Sequence, residues 1–362
     1  MDSRVAMEAL AVGVSTGVPV LLWGSPGTGK TSAVCALGEA LGWPVEVVIG
    51  SIREPADFGG LPVVVSGEVR LAPPAWAKRL CAEGRGLLFL DELTTAPPAV
   101  QAAMLRIVLE RVVGDVTLPA AVRVVAAANP PEEAADGWEL SPPLANRLVH
   151  LDWPVEARRV AEGLAVGFPT PNLSIVDDVV EPAQALAARA AVAAFLQVRP
   201  GLVLQVPRGA TDASRGWPSP RSWESVARLL AGCEAAKASP EARAVLVTGA
   251  VGEGPGLEFL AWLEHADLPD PEAVLADPDS FTLPERSDRA FAVLTGVAAV
   301  AIAHGDVQSW TAAWRVLART ALQAPDVATL VARTLARHRP AGADLPVALL
   351  ELTPVLRAAG LL

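Results

Sequence analysis

The sequence predicts an α/β fold, with a mostly parallel five-stranded sheet followed by an all-helical region. Up to about residue 155, short β-branched and apolar runs alternate with helix-like segments. This alternation is typical of parallel strands joined by right-handed crossovers. The runs carry few charges, so we expect helices to cover both faces of the sheet. The predicted strands are 18–23, 45–49, 87–90, 122–126 and 148–151.

After about residue 156 the strand patterns stop, and Ala-rich helical patterns separated by Pro- and Gly-rich breaks follow. We predict an α/β core over residues 1–155, a helical lid domain over 156–270 and a helical extension over 271–362. The predicted helices are 182–198, 221–236, 240–251, 256–266, 284–304, 306–321 and 325–338.

Two stretches interrupt the alternation and predict hairpins. Residues 62–70 hold two apolar runs around Ser66-Gly67, and residues 111–118 hold a second pair of runs. Phe58 precedes the first hairpin beside two glycines. It is either an exposed aromatic that faces a pore or client protein, or a hydrophobic anchor for the hairpin.

Composition limits the classes of function. The formal net charge of -11 disfavours nucleic acid as the main ligand. Three scattered cysteines and four scattered histidines show no metal-ligand spacing. The N-terminus does not resemble a signal peptide, and the apolar run 290–303 is shorter than the ~20 residues that span a bilayer. We expect a cytoplasmic protein with no membrane contact.

The strongest motif is a complete G-x-x-x-x-G-K-[ST] loop between a buried strand and a helical pattern. Its glycines let backbone N–H groups turn towards phosphate oxygens, and the helix N-terminus favours negative charge. Lys30 is expected at the β- and γ-phosphates of ATP, and the Thr31 hydroxyl on Mg²⁺. The candidate nucleotide-binding residues are Gly24, Ser25, Pro26, Gly27, Thr28, Gly29, Lys30 and Thr31.

A second acidic site follows the predicted strand 87–90. Asp91, at the end of the strand, is expected to hold Mg²⁺, and Glu92 to polarise the attacking water. Asn129 ends the next predicted strand, where an amide can position that water or sense the γ-phosphate. The alternative for Asn129 is a turn-initiating residue before Pro130.

Two arginines complete the candidate catalytic set. Arg147 precedes the fifth strand and is a candidate arginine finger for a neighbouring subunit, or else a surface arginine. Arg221 opens a helix of the predicted lid. It is expected to reach back to the γ-phosphate, or else to pack on Trp217 or Trp223.

These elements, in this order, resemble the AAA+ ATPases over residues 18 to about 225. The resemblance implies an ATP hydrolase with the strand order 5-1-4-3-2, a helical lid and a homo-oligomeric, usually hexameric, ring.

Within that superfamily the chain looks like the MoxR branch. The residues concerned are 57–61 with the following hairpin, 109–112, 118–119 and 127–130. One departure is Asn146-Arg147, where MoxR proteins usually have Asp-Arg. The resemblance implies a chaperone-like motor that acts on a client complex, with a partner bearing a von Willebrand factor A-type domain.

Two other functions remain open at this point. One is a nucleotide-switched scaffold with little turnover, against which the intact Glu92 and Arg147 argue. The other is a DNA-directed AAA+ motor, which the acidic balance disfavours. A GTPase is disfavoured because no Asn-Lys-x-Asp motif is present.

Overall fold

A computed structural model describes residues 2–130, 133, 137–168, 180–265, 268–344, 346 and 347. The strands in this part of the chain are β1 (Val20–Trp23), β2 (Val45–Ile49), β3 (Leu61–Val65), β4 (Glu68–Ala72), β5 (Arg85–Asp91), β6 (Val112–Val113), β7 (Val116–Thr117), β8 (Ala121–Ala128) and β9 (Val149–Asp152).

Sixteen α-helices lie in the same described ranges, and seven of them match the predicted helices after residue 180. The fourth of these predictions ended at residue 266, which is outside the described residues. The helices are α1 (Ser3–Thr16), α2 (Lys30–Leu41), α3 (Ala56–Gly59), α4 (Ala75–Glu83), α5 (Pro98–Glu110), α6 (Pro142–Ala145), α7 (Ala157–Val166), α8 (Pro182–Val198), α9 (Ala210–Ala213), α10 (Pro220–Ala235), α11 (Pro240–Val251), α12 (Glu253–Glu264), α13 (Pro271–Ala276), α14 (Ser287–His304), α15 (Val307–Thr320) and α16 (Pro325–Arg337).

The main sheet has five parallel strands in the order β2-β5-β8-β1-β9. The predicted strands 1 to 5 are β1, β2, β5, β8 and β9, so the expected order 5-1-4-3-2 is confirmed. The register aligns Trp23 with Ala128 on one side and with Asp152 on the other. Ile49 aligns with Asp91 in the same way. The segments that follow these strands therefore begin at one edge of the sheet.

Both predicted hairpins are present. β3 and β4 pair antiparallel around Ser66 and Gly67, which both have positive φ, as a tight two-residue hairpin turn requires. β6 and β7 form the second hairpin. Gly60 lies where the two hairpins meet, because a Cβ on it would be only 2.7 Å from the Gly114 Cα.

Phe58 is not the exposed aromatic that one interpretation required. Its side chain is 1% exposed and belongs to the core cluster of the sheet and α5. The exposed apolar residues of this region lie on the hairpin itself, where Val64 is 75% and Val69 is 70% exposed. The interpretation of Phe58 as a pore-facing or client-facing residue is therefore wrong, because core packing buries its ring.

This burial gives a test of stability. Phe58→Ala is expected to lower the free energy of unfolding by about 3–5 kcal/mol, the usual cost of an aromatic cavity in a core. Val64→Ala, in the exposed part of the hairpin, is the control and is expected to change it by less than about 0.5 kcal/mol. Denaturant unfolding measures both. Equal stability of Phe58→Ala and the wild type would contradict the anchor role.

The chain forms two compact units. The first comprises residues 1–179 and 203–257, and within it α10 and α11 pack against α1. The second comprises residues 180–202 and 258–362, and within it α8 packs along α14. These units cross the predicted boundaries at 155 and 270, because α8 and α10 of the predicted lid pack in different units. The division into core, lid and extension stays a prediction.

In the described ranges, no helix combines the length and the apolar composition that a bilayer crossing needs.

Candidate functional site

The glycine-rich loop joins the end of β1 to the start of α2. Gly27 has φ 76° and Gly29 has φ 83°, a region that residues with a Cβ rarely adopt. Gly29 caps the N-terminus of α2, so the helix begins at Lys30. The loop therefore has the left-handed turns and the helix N-terminus that the motif predicted for a phosphate cradle.

Lys30 is 7% exposed, and its ammonium group lies inside this loop. Nζ donates to the Gly24 carbonyl at 2.5 Å, to the Ser25 carbonyl at 3.0 Å and to Asn129 Oδ1 at 3.1 Å. Burial lowers the pKa of Lys30, and the negative charge of Asp91 opposes that effect. The contact with Asn129 joins the loop to the end of β8. Its expected role at the attacking water or the γ-phosphate stays a prediction.

Thr31 and Asp91 form the second contact across the site. Thr31 Oγ1 donates to Asp91 Oδ2 at 2.8 Å, and Asp91 Oδ1 accepts from the Glu92 N–H at 2.9 Å. A hydroxyl and a carboxylate this close to a phosphate loop are oxygen donors of the type that Mg²⁺ prefers. In the described ranges, no group of three His, Cys, Asp or Glu side chains could hold a metal by itself. Thr31 and Asp91 supply two oxygens of the preferred type, and a bound Mg²⁺ would take its other ligands from phosphate and water.

Glu92 has φ 58°, which is uncommon for a residue with a side chain. Its carboxylate accepts a hydrogen bond from the Ser51 hydroxyl. Ser51 follows β2 at the same sheet edge, and no sequence motif pointed to it. The available signal was a polar residue two positions after the end of a strand that neighbours β5. This hydrogen bond from Ser51 therefore fixes the position of the Glu92 carboxylate and occupies one of its oxygens.

Trp153, directly after β9, is a second residue of the site to which no sequence motif pointed. Its indole N–H donates to the Thr28 carbonyl at 3.2 Å. A Cβ on Gly24 would lie 3.0 Å from the Trp153 carbonyl oxygen. Trp153 therefore closes one side of the loop. Glycine at position 24 lets the backbones of the loop and of Trp153 lie this close together.

His150 links β1 to the segment that carries Arg147. Trp23 Nε1 donates to His150 Nδ1 at 2.8 Å, and His150 Nε2 lies 2.9 Å from the Ala145 carbonyl. The indole can only donate and the carbonyl can only accept, so the proton is on Nε2. Complete burial lowers the pKa of His150 to about 4, and the ring is neutral at pH 7. It is a structural link rather than a proton-transfer group.

Arg147 and Arg221 lie near each other, away from the contacts just described. Arg147 is half-buried, donates to the Pro143 carbonyl and has a buried Nε without a partner. Burial lowers the pKa of Arg147, and the charge of Arg221 lowers it further. In the described part of the chain, neither arginine pairs with an acid or bonds to Lys30, Thr31 or Asp91. Both guanidinium groups lack a carboxylate partner there, so an anion could accept from their N–H groups.

The structure thus brings Lys30, Thr31, Asp91 and Asn129 into direct contact and places Glu92 beside Asp91. It does not bring Arg147 or Arg221 into contact with them, although the charge of Arg221 acts on Arg147. Which roles these residues have in catalysis stays a prediction.

Comparison with known proteins gives one family and several similar structures. Residues 19–148 match the family model of the AAA domain, dynein-related subfamily. No curated protein matches the chain. One similar structure is a presumed ATPase from Cytophaga hutchinsonii, with 18% identity over 68% of this chain and 80% of that protein, and a TM-score of 0.45. Another is a full-length MCM homologue from Methanopyrus kandleri, with 18% identity over 70% of this chain and 54% of that protein, and a TM-score of 0.40.

Proposed function

Residues 19–148 belong to the AAA+ P-loop ATPases, and from this premise we propose that the protein binds ATP with Mg²⁺ and hydrolyses it. AAA+ domains generally bind ATP with Mg²⁺. The observation that carries the proposal is the contact of Thr31 with Asp91 beside the buried Lys30. At one edge of the sheet it places the phosphate loop, the Lys30 ammonium group and two oxygens of the kind that bind Mg²⁺. A nucleotide-switched scaffold would not need Glu92 beside them.

In the proposed reaction, water attacks the γ-phosphorus, the bond to the β–γ bridging oxygen breaks, and ADP and phosphate leave. Glu92 accepts the proton of the attacking water. Asn129, held by Lys30, orients that water or the γ-phosphate. Lys30 exchanges its loop carbonyl partners for phosphate oxygens and neutralises their charge. Thr31 and Asp91 would hold Mg²⁺, which when bound offsets negative charge on the β- and γ-phosphates.

The test separates binding from turnover. Glu92→Gln removes the proton acceptor and keeps the size of the side chain, so we expect normal Mg²⁺-ATP affinity and hydrolysis slowed by roughly a hundredfold or more. Nucleotide binding and phosphate release measure the two effects. Glu110→Gln is the matched control, because Glu110 is an exposed carboxylate of α5 that pairs only with Arg106 in the described residues. Wild-type turnover in Glu92→Gln would assign the water to another group.

The finer proposal is a MoxR-like motor that works as a homo-oligomeric ring, with six subunits expected. It would act on a client complex together with a protein bearing a von Willebrand factor A-type domain. AAA+ relatives commonly form rings. Arg147 and Arg221, which have no acid partner in the described residues, support assembly, since an anion from another subunit would pair with them. Native mass with and without ATP measures assembly, and co-purification with such a partner measures recruitment. A monomer at all protein concentrations would contradict the ring.

A further inference from the structure

Asn146 sits directly before Arg147 and is 6% exposed. Its amide bonds to the segment that leads into α10. Nδ2 donates to the Trp217 carbonyl at 2.7 Å, and Oδ1 accepts from the Ser219 hydroxyl at 2.7 Å. Trp217 and Ser219 are more than 70 residues away in sequence, so the side chain of Asn146 ties two distant segments of the first unit together.

Ser219 is the N-cap residue of α10, and this role determines which atoms donate and which accept in its contact with Asn146. Ser219 Oγ accepts from the Ser222 N–H at 3.1 Å, so its proton is free to point at Asn146. The Trp217 carbonyl can only accept, and it also accepts from the Ser222 hydroxyl at 2.9 Å. An amide supplies the one donor and one acceptor that these partners need. An ionised carboxylate in the same orientation would set an acceptor against the Trp217 carbonyl.

These bonds, which we call the amide clamp (Asn146, Trp217, Ser219 and Ser222), join the two segments that carry the arginines. Arg147 follows Asn146 directly, and Arg221 is two residues after Ser219. The arginines repel each other, and neither has an acid partner within the described ranges. A buried hydrogen-bonded network can hold two like charges together because breaking it leaves buried polar groups unpaired.

We propose that Asn146 is a positioning residue that holds Arg147 and Arg221 together as one binding site for a phosphate group. The site takes an anion with several oxygens, because two guanidinium groups offer more donors than a single carboxylate can use. This inference rests on the proposed ATP hydrolysis, where that anion is the γ-phosphate of ATP. Asn146 itself touches no phosphate, and its effect passes through the arginines.

The test is a double-mutant cycle on ATP hydrolysis. Asn146→Leu has nearly the same shape and removes both hydrogen bonds. We expect kcat to fall about tenfold or more, the effect of about 1.4 kcal/mol, with KM for ATP changed less than about twofold. In the Arg147→Ala background the same change should cost almost nothing, since the arginine that it positions is gone. A merely structural role would lower kcat by the same factor in both backgrounds.

The matched control is Gln101→Leu, at the other buried amide of the described chain. Gln101 is 1% exposed and bonds to the Ala96 carbonyl and the Ser141 N–H, but not to α10. It should destabilise the fold to a similar degree, and any effect on kcat should multiply with that of Arg147→Ala. If Asn146→Leu does not fold, Ser219→Ala removes one clamp bond and should show a smaller loss with the same non-additivity.

Additive effects of Asn146→Leu and Arg147→Ala, or an unchanged kcat, would overturn the positioning role. An inactive wild type that still binds ATP would instead contradict the proposed function. In that case amide hydrogen exchange tests whether Asn146 stabilises the amide clamp. Asn146→Leu should speed exchange of the Ser222 amide by about tenfold or more, since the cap loses its partner. Unchanged exchange would overturn the clamp without reference to hydrolysis.

Discussion

Lys30→Ala is expected to weaken Mg²⁺-ATP binding by about a hundredfold, the effect of losing charge-assisted hydrogen bonds worth about 3 kcal/mol. The Lys30 ammonium is the cation that contacts the loop carbonyls and Asn129 from inside the cradle. Without it, phosphate oxygens would enter the loop with only backbone N–H groups as partners. Isothermal titration with ATP in the presence of Mg²⁺ measures the change.

Lys78→Ala is the matched control for this substitution. Lys78 is exposed on α4 and is one of only three lysines in the chain. We expect it to leave ATP affinity unchanged. Circular dichroism should show the same helix content in both variants, because the Lys30 side chain caps no helix. Unchanged ATP affinity in a folded Lys30→Ala protein would mean that the loop is not the nucleotide site.

The phosphate loop could be predicted because its conformation is encoded locally. Gly27 and Gly29 are required where φ is positive, and the motif fixes Lys30 and Thr31 relative to them. The meeting of this loop with Asp91 also follows from the sequence, since parallel strands end at one edge of a sheet.

Other features depend on partners that are remote in the sequence, and no local pattern reports them. Ser51 holds Glu92 only because β2 and β5 are neighbours in register. Phe58 lies beside two glycines and looked exposed, yet α5 covers it. The partners of Asn146 lie in a segment that the sequence assigned to a separate lid. Each case is a tertiary contact that overrides local composition.

The packing of the helices could not be predicted from the sequence, for the same reason. The positions of the helices follow from amphipathic spacing, proline at the first turn and glycine at the end. The pairing of helices depends on complementary side-chain surfaces, which local sequence patterns do not reveal. α8 packs with α14, which is far away in the sequence. α10 is much closer to α8 in the sequence, but it belongs to the other unit.

Arg147→Ala is expected to leave ATP binding unchanged and to slow hydrolysis by about a thousandfold, the scale of an arginine finger. Arg147 makes no contact with Lys30, Thr31 or Asp91 in the described chain, so it has little means of helping its own nucleotide. Its half-buried guanidinium, beside Arg221 and without an acid partner there, is suited to neutralise a phosphate from a neighbouring subunit. Phosphate release at fixed subunit concentration measures the loss. Arg106→Ala, an exposed arginine paired with Glu110, is the matched control.

A mixture of two inactive variants distinguishes a shared site from a local one. The Arg147→Ala protein keeps an intact phosphate loop, and the Lys30→Ala protein keeps an intact finger. In a mixed ring, an Arg147→Ala subunit next to a Lys30→Ala subunit has both parts at one interface, so activity should return in part. Wild-type activity per subunit should also rise with protein concentration as rings assemble. A mixture that stays inactive while native mass shows co-assembly would contradict the shared site, and so would a fully active dilute monomer. Arg147 would then be an ordinary surface arginine.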